Sequence, residues 1–297
     1  MENSSEIKPI HFLAGNNNEG AVTLDLNVTP NLLVGGTSGT GKSVFLQQII
    51  ISLMTHSNPN RLRFGLIDSK LGIEFTKYNE SPFMLSNAVT DRNKAKVFIK
   101  YIEKLMLVRY KRLRKTKTTS IEEYNQLNDK SWPYIVLVID DFGDLITNPG
   151  SRINRPKIQN HIAKIAQDGD VVGIHVIVTV QKPFRDVLSQ EFRSDFAGRV
   201  AFKTINQAEG YLLLGSGAFP GQFSTEKLHT PGECLISSNS DMPYKCQVPN
   251  ITNPQIRKVI KESQKKYTDN AKFFSVNFEK FVRPNNLNKI IDDVYTP

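Results

Sequence analysis

The stretch Gly36-Thr-Ser-Gly-Thr-Gly-Lys-Ser43 constrains this chain more than any other feature. It fits the spacing G-x-x-x-x-G-K-[ST] in full, and it lies between an apolar strand candidate, NLLVG (31–35), and the helical pattern SVFLQQIIISLM (43–54). A strand, a glycine-rich turn and a helix in that order make a phosphate cradle. Gly36, Gly39 and Gly41 let the backbone turn so that successive N–H groups point at one phosphate, and the helix N-terminus adds its partial positive charge. Thr37, Ser38 and Thr40 complete the loop. Lys42 is then expected to bridge the β- and γ-phosphates of a nucleotide, with Ser43 on Mg²⁺.

The rest of the sequence alternates in a way that suits this start. Apolar strand candidates RFGLID (63–68), YIVLVID (134–140), GIHVIVTV (173–180) and GRVAFKT (198–204) are separated by helical patterns near 91–115, 156–169 and 186–195, the first with Asp91 expected as its N-cap. That order predicts an α/β fold, a mainly parallel sheet with helices on both faces. Before it, residues 9–28 read as a hairpin about the turn-prone AGNNNEG, and GECLI (232–236) adds a late strand. The expected division is a small N-terminal β-flap (1–30), a P-loop domain (31–250) and a C-terminal tail (251–297) with helices near 253–267 and 286–294.

YIVLVIDDFGDLI ends its apolar strand in Asp140-Asp141. A P-loop protein needs a carboxylate there to hold the Mg²⁺ water shell and a second to orient an attacking water, although an acidic loop at a strand end has the same pattern. Lys plus Arg (38) exceeds Asp plus Glu (29), a formal charge of +9 that favours polyanionic partners. The two cysteines, Cys234 and Cys246, imply no disulfide framework, and the five histidines have no zinc spacing. MENSSEIKPI lacks the basic and apolar regions of a leader, and the longest apolar runs are too short to span a bilayer. A cytoplasmic protein is expected, with any membrane association through a partner.

These motifs, in order, resemble the FtsK/SpoIIIE family of DNA-translocating ATPases. NLLVGGTSGTGKSVFLQQIIISL looks like its strand, P-loop and helix; FGLIDSKLGIEFTKY resembles its Ile-Asp-Pro-Lys segment with Ser69 for Pro, followed by VTD (89–91). IEKLMLVRYKRL, YNQ, WPYIVLVIDDFGDLI, GIHVIVTVQKP, FRSDFAGRVAFKT and PGECLI continue the series, so the likeness covers roughly residues 11–236. It implies a RecA-like P-loop fold, ATP as the nucleotide, and ATP hydrolysis coupled to movement of double-stranded DNA by a homo-hexameric ring. Under it Lys42 and Ser43 take the P-loop roles, Asp140 the Mg²⁺ role, and Asp141 the water. Gln181 stands near the γ-phosphate, and Arg199 is a candidate for insertion into a neighbouring subunit's site, or an ordinary surface ion pair.

Departures from the family pattern bear on turnover. Asp141 replaces the usual Glu, Gly169-Asp170-Val171 replaces Ala-Arg-Ala, and Lys182 replaces an arginine, so slow hydrolysis is expected. The family's membrane domain and winged-helix module have no counterpart, which suggests a stand-alone motor. RYKRLRKTK (109–117), with six basic residues in nine, reads as a phosphate-tracking segment or a solvated helix end. Arg152, Arg155 and Lys157 stand where the family's ring presents a channel loop, and would grip the DNA backbone or merely coat a surface loop. Residues 237–244 form a second candidate pore loop, with Lys245 at its exit. Two other readings stay open: a coupling ATPase for conjugative DNA transfer or type VII-like secretion, recruited by a membrane partner, and an ATP-gated DNA clamp with little hydrolysis.

Overall fold

The computed structural model describes residues 10–70, 72–128, 131–147, 155–215, 223–238 and 242–267. Five parallel strands form its centre: β3 (Asn31–Gly35), β4 (Leu62–Asp68), β5 (Tyr134–Asp140), β6 (Ile174–Val180) and β7 (Gly198–Phe202). They lie side by side in the order β7-β3-β6-β5-β4. Every residue of β3, β4, β5 and β6 is buried, as expected of strands covered on both faces.

Four antiparallel strands extend the sheet beyond β7. They are the hairpin β1 (His11–Asn17) and β2 (Gly20–Asp25), with β8 (Glu233–Ser238) and β9 (Tyr244–Gln247), giving the full order β2-β1-β9-β8-β7-β3-β6-β5-β4. The hairpin expected as a flap ahead of the sheet therefore joins its edge, through Asn16 opposite Gln247. The fold is α/β with a parallel core.

Helices α1 (Lys42–His56), α2 (Arg92–Thr116), α3 (Ile121–Leu127), α4 (Phe142–Thr147), α5 (Arg155–Asp168), α6 (Gln190–Ser194), α7 (Gln207–Leu214) and α8 (Asn253–Lys266) cover the sheet. Asp91 caps α2 by accepting the Lys94 N–H, as the sequence suggests. The helix expected over 186–195 is shorter. Val187 and Leu188 instead turn back onto the Phe184 carbonyl, and the Ser189 side chain starts α6 by accepting from the Phe192 N–H. α8 packs Ile256 and Ile260 inward, and beyond its end Tyr267 sets its ring edge-on to Phe83 and donates to the Ser57 carbonyl. The helix expected near 286–294 lies outside the described residues.

One expectation fails inside the basic run. Arg109 is fully buried: its guanidinium donates to Val172 O (2.6 Å) and Pro133 O (2.8 Å) and lies over the Trp132 ring. It pins α2 to the start of β5 and β6 and is unavailable to phosphates. Lys111, Arg112, Arg114, Lys115 and Lys117 remain exposed at that helix end.

His175 is buried on β6, with Nδ1 against Pro30 O at 3.1 Å and its ring stacked on Tyr134. Burial is the largest influence and lowers its pKa to about 4. The unfolded chain, titrating near pH 6.5, takes up a proton that the folded chain refuses, so stability present above about pH 6.5 is lost as pH falls towards 4. Denaturant unfolding from pH 7 to 4 should show a loss in the wild type larger than in His175→Gln by up to about 3 kcal/mol. Parallel pH profiles for the two proteins would refute this role for His175.

Candidate nucleotide site

The parallel order brings four strand ends to one edge, where open α/β sheets bind ligands. There lie the P-loop after β3, Lys70 after β4, Asp140 at the end of β5, and Gln181 after β6. Two glycines make the P-loop possible. Gly36 has φ 143° and a Cβ there would meet Phe202; Gly41 has φ 118° and a Cβ would meet the Gly232 backbone. Side chains at either position would be strained as well as blocked.

The loop is tied down on both sides. Thr37 N–H and Oγ1 donate to Lys203 O, just after β7, while the N–H of Gly232, just before β8, donates to Thr40 O. Thr40 Oγ1 closes the turn on Thr37 O. Lys42 reaches back along the loop to donate to Gly36 O and Thr37 O, both at 2.6 Å. Burial, and next the Lys70 ammonium, lower its pKa to about 8, against Asp140 and Asp141, which raise it. It therefore carries its charge at neutral pH.

A cleft of about 660 Å³ opens over this loop. Ser38, Gly39, Gly41, Lys42, Ser43 and Gln181 line it, together with Lys70 and the segments Pro231–Gly232 and Gln247–Asn250. The last three features were not anticipated. The β8–β9 pairing brings residues 231–232 and 247–250 to the cleft, and only the fold reveals that.

Asp140 is 1% exposed, and both of its oxygens are bonded. Oδ1 accepts from Thr179 Oγ1 at 2.7 Å and Oδ2 from Lys70 Nζ at 3.0 Å. Thr179 Oγ1 also accepts the Asp141 N–H at 2.9 Å, so one hydroxyl joins both acids. Asp141 has φ 55°, a left-handed conformation that Asp tolerates better than Glu, and its Oδ1 accepts the Asp144 N–H at the start of α4. Burial raises the Asp141 pKa, opposed by that N–H and by Lys70.

Among the described residues no group of three or more His, Cys, Asp or Glu could hold a metal. The donors suit Mg²⁺ nonetheless, because that ion keeps several waters and is commonly held by one or two protein oxygens plus phosphates. Ser43 and Asp140 supply such oxygens.

Arg199 stands apart. Its guanidinium donates to Leu213 O and Arg193 O, and it lines a different cleft of about 610 Å³ with Arg185 and Arg193. That cleft is separate from the one over the P-loop, and among the described residues Arg199 has no ion-pair partner. Burial, and then Arg193, lower its pKa. Arg152 lies outside the described residues, as does the Arg155 side chain, while Lys157 is exposed on the first turn of α5. Part of the second candidate pore loop, residues 239–241, is also outside them, and Lys245 is paired with Glu233 at 2.7 Å. Asp170 lies before β6, at the end of the sheet away from the P-loop.

A sequence profile described as the FtsK/SpoIIIE family matches residues 2–184. The chain belongs to the FtsK/SpoIIIE family. It is 31% identical over 268 residues to the DNA translocase FtsK of Leptospira interrogans, covering 87% of this chain and 27% of that protein. The DNA translocase FtsK of Staphylococcus aureus is 32% identical over 230 residues, covering 74% and 28%. This family member thus spans under a third of the length of these curated relatives. Among solved structures, the pCW3 conjugation coupling protein TcpA, in a monomer form with ATPγS, superposes with TM-score 0.74 at 20% identity, covering 88% of this chain and 73% of that one. The cytoplasmic domain of the Thermomonospora curvata type VII secretion ATPase EccC gives 0.75 at 18%, covering 87% and 32%. Both confirm a P-loop ATPase fold.

Thr179 is the hinge of the acidic pair. Thr179→Val keeps the shape but leaves Asp140 Oδ1 and the Asp141 N–H without their partner, and should cost about 1–3 kcal/mol in denaturant unfolding. Unchanged stability would show that these bonds contribute nothing.

Proposed function

We propose that this chain is an ATPase that binds Mg²⁺·ATP in the P-loop cleft, assembles as a homo-hexameric ring and moves double-stranded DNA through its centre. The observation that carries the nucleotide half is the convergence of Lys42, Ser43, Gln181 and Lys70 on one cleft, with Asp140 bonded to Lys70 behind it. Family membership and relatives named DNA translocase support the DNA half. The +9 charge suits a polyanionic cargo.

In this reading the amides of residues 36–43 bind the β-phosphate and Lys42 moves from its loop carbonyls to bridge β- and γ-oxygens. Ser43 and Asp140 hold Mg²⁺, which when bound neutralises charge developing on the transferred phosphoryl group. Asp141 orients the attacking water and Gln181 faces the γ-phosphate. Arg199 acts from a neighbouring subunit. Arg152, Arg155 and Lys157 face the DNA channel, giving salt-sensitive, sequence-independent grip. A recruiting partner at the membrane fits the same scheme, since no helix among the described residues is long and apolar enough to cross one.

A second reading, an ATP-gated clamp with little turnover, is favoured by Asp141. Its short carboxylate is engaged in capping α4, which restrains it from reaching a water.

Phosphate release from ATP, measured with and without long double-stranded DNA, tests the proposal against Lys42→Ala as the blank. Stimulation of at least about tenfold by DNA, absent in the variant, is the expected result. DNA binding that needs ATP but proceeds without hydrolysis would replace the motor with the clamp. An ATPase indifferent to DNA would point to a protein cargo.

A further inference from the structure

Lys70 has a place that the roles above leave unexplained. Its ammonium is bonded to Asp140 Oδ2, yet the same side chain lines the cleft beside Lys42, Ser43 and Gln181. Asp140 Oδ1 is already taken by Thr179, so Lys70 occupies the remaining oxygen of a carboxylate that is only 1% exposed. The side chain of Lys70 itself is 31% exposed, at the boundary between that buried acid and open space.

Its main chain is fixed. Asp68, fully buried at the end of β4, accepts the Lys70 N–H on Oδ1 (2.9 Å), and on Oδ2 the N–H groups of Glu74 (2.8 Å) and Phe75 (3.1 Å). The loop after β4 is thus folded about one carboxylate, and the flexible four-carbon stem of Lys70 is the part left to move. A lysine is suited to this, being a point charge on a rotatable stem rather than a planar fork.

The charges indicate a direction. The Lys70 ammonium disfavours charge on Lys42 while Asp140 and Asp141 favour it, so the two cations share one pair of anions. A terminal phosphate adds negative charge that a diphosphate lacks, and the P-loop reading sets it beside Lys42 and Lys70 in the cleft.

We propose that Lys70 is a γ-phosphate-sensing residue, whose ammonium leaves Asp140 for the terminal phosphate of a Mg²⁺-bound triphosphate and stays on Asp140 when a diphosphate is bound. Its departure frees Asp140 Oδ2, which would then be available to help hold Mg²⁺. The site thereby couples the presence of a third phosphate to the availability of its own metal-holding acid. This inference rests on the nucleotide reading of the cleft.

The test is calorimetric binding of Mg²⁺·ATPγS and Mg²⁺·ADP to the full chain, comparing wild type, Lys70→Met and Lys70→Arg. The methionine variant should weaken ATPγS by at least about tenfold, the loss of one charge-assisted contact, while ADP changes by less than about twofold. Retained ADP binding also shows that the variant is folded. Lys70→Arg should recover much of the preference for ATPγS. An ATPγS-to-ADP ratio unchanged in Lys70→Met, or an equal loss of both ligands, would overturn the inference. A wild type that binds neither ligand would instead overturn the nucleotide reading on which it rests.

Discussion

A carboxylate placed at the end of a fully buried strand must be supplied with partners, because an ion left unpaired away from water is too costly to keep. Asp140 meets that demand with one hydroxyl from β6 and one ammonium from the loop after β4. Those two bonds knit together the ends of three neighbouring parallel strands. They hold the Lys70 side chain at the cleft. The polar interior of this edge is therefore a condition of the fold as well as of the proposed site, because removing a partner leaves a buried charge unpaired.

The P-loop depends on the same edge from the other side. Its glycines accept positive φ, and its ends are fastened to Lys203 after β7 and to Gly232 before β8. The antiparallel extension of the sheet thus does more than cover an edge. By pairing β9 with β8 it sets Gln247 and Asn250 on the rim opposite Lys42, which gives the cleft its second wall.

Local features were legible in the sequence. The P-loop with its strand and helix, the five parallel strands, Asp91 as a cap and the acid at the end of β5 all follow from short-range spacing, and each stands within a residue or two of its expected place. Long-range pairings were not legible. Lys70 and Asp140 are 70 residues apart, and only the β4–β5 register, with Asp68 opposite Asp140, brings them together. Thr179 reads as one more β-former in an apolar strand until β6 is placed beside β5. Arg109 is a case where a signal existed: Phe98, Ile102, Leu105, Arg109 and Leu113 recur at helical spacing, so the arginine falls on the apolar face. Its basic neighbours concealed that. The short helices α3, α4 and α7 carry too few residues to show a period.

The central claim is that the backbone of residues 36–43 cradles the phosphates of a Mg²⁺-bound nucleotide, with Gly232 and the loop after β4 closing round it. Amide hydrogen exchange with and without Mg²⁺·ATPγS addresses it most directly, because the N–H groups that would hold the phosphates are the ones observed. Slowed exchange concentrated in residues 36–44, with lesser slowing near Lys70 and Gly232, is the result the account predicts. Protection elsewhere with none in the P-loop, or no protection at saturating nucleotide, would contradict it.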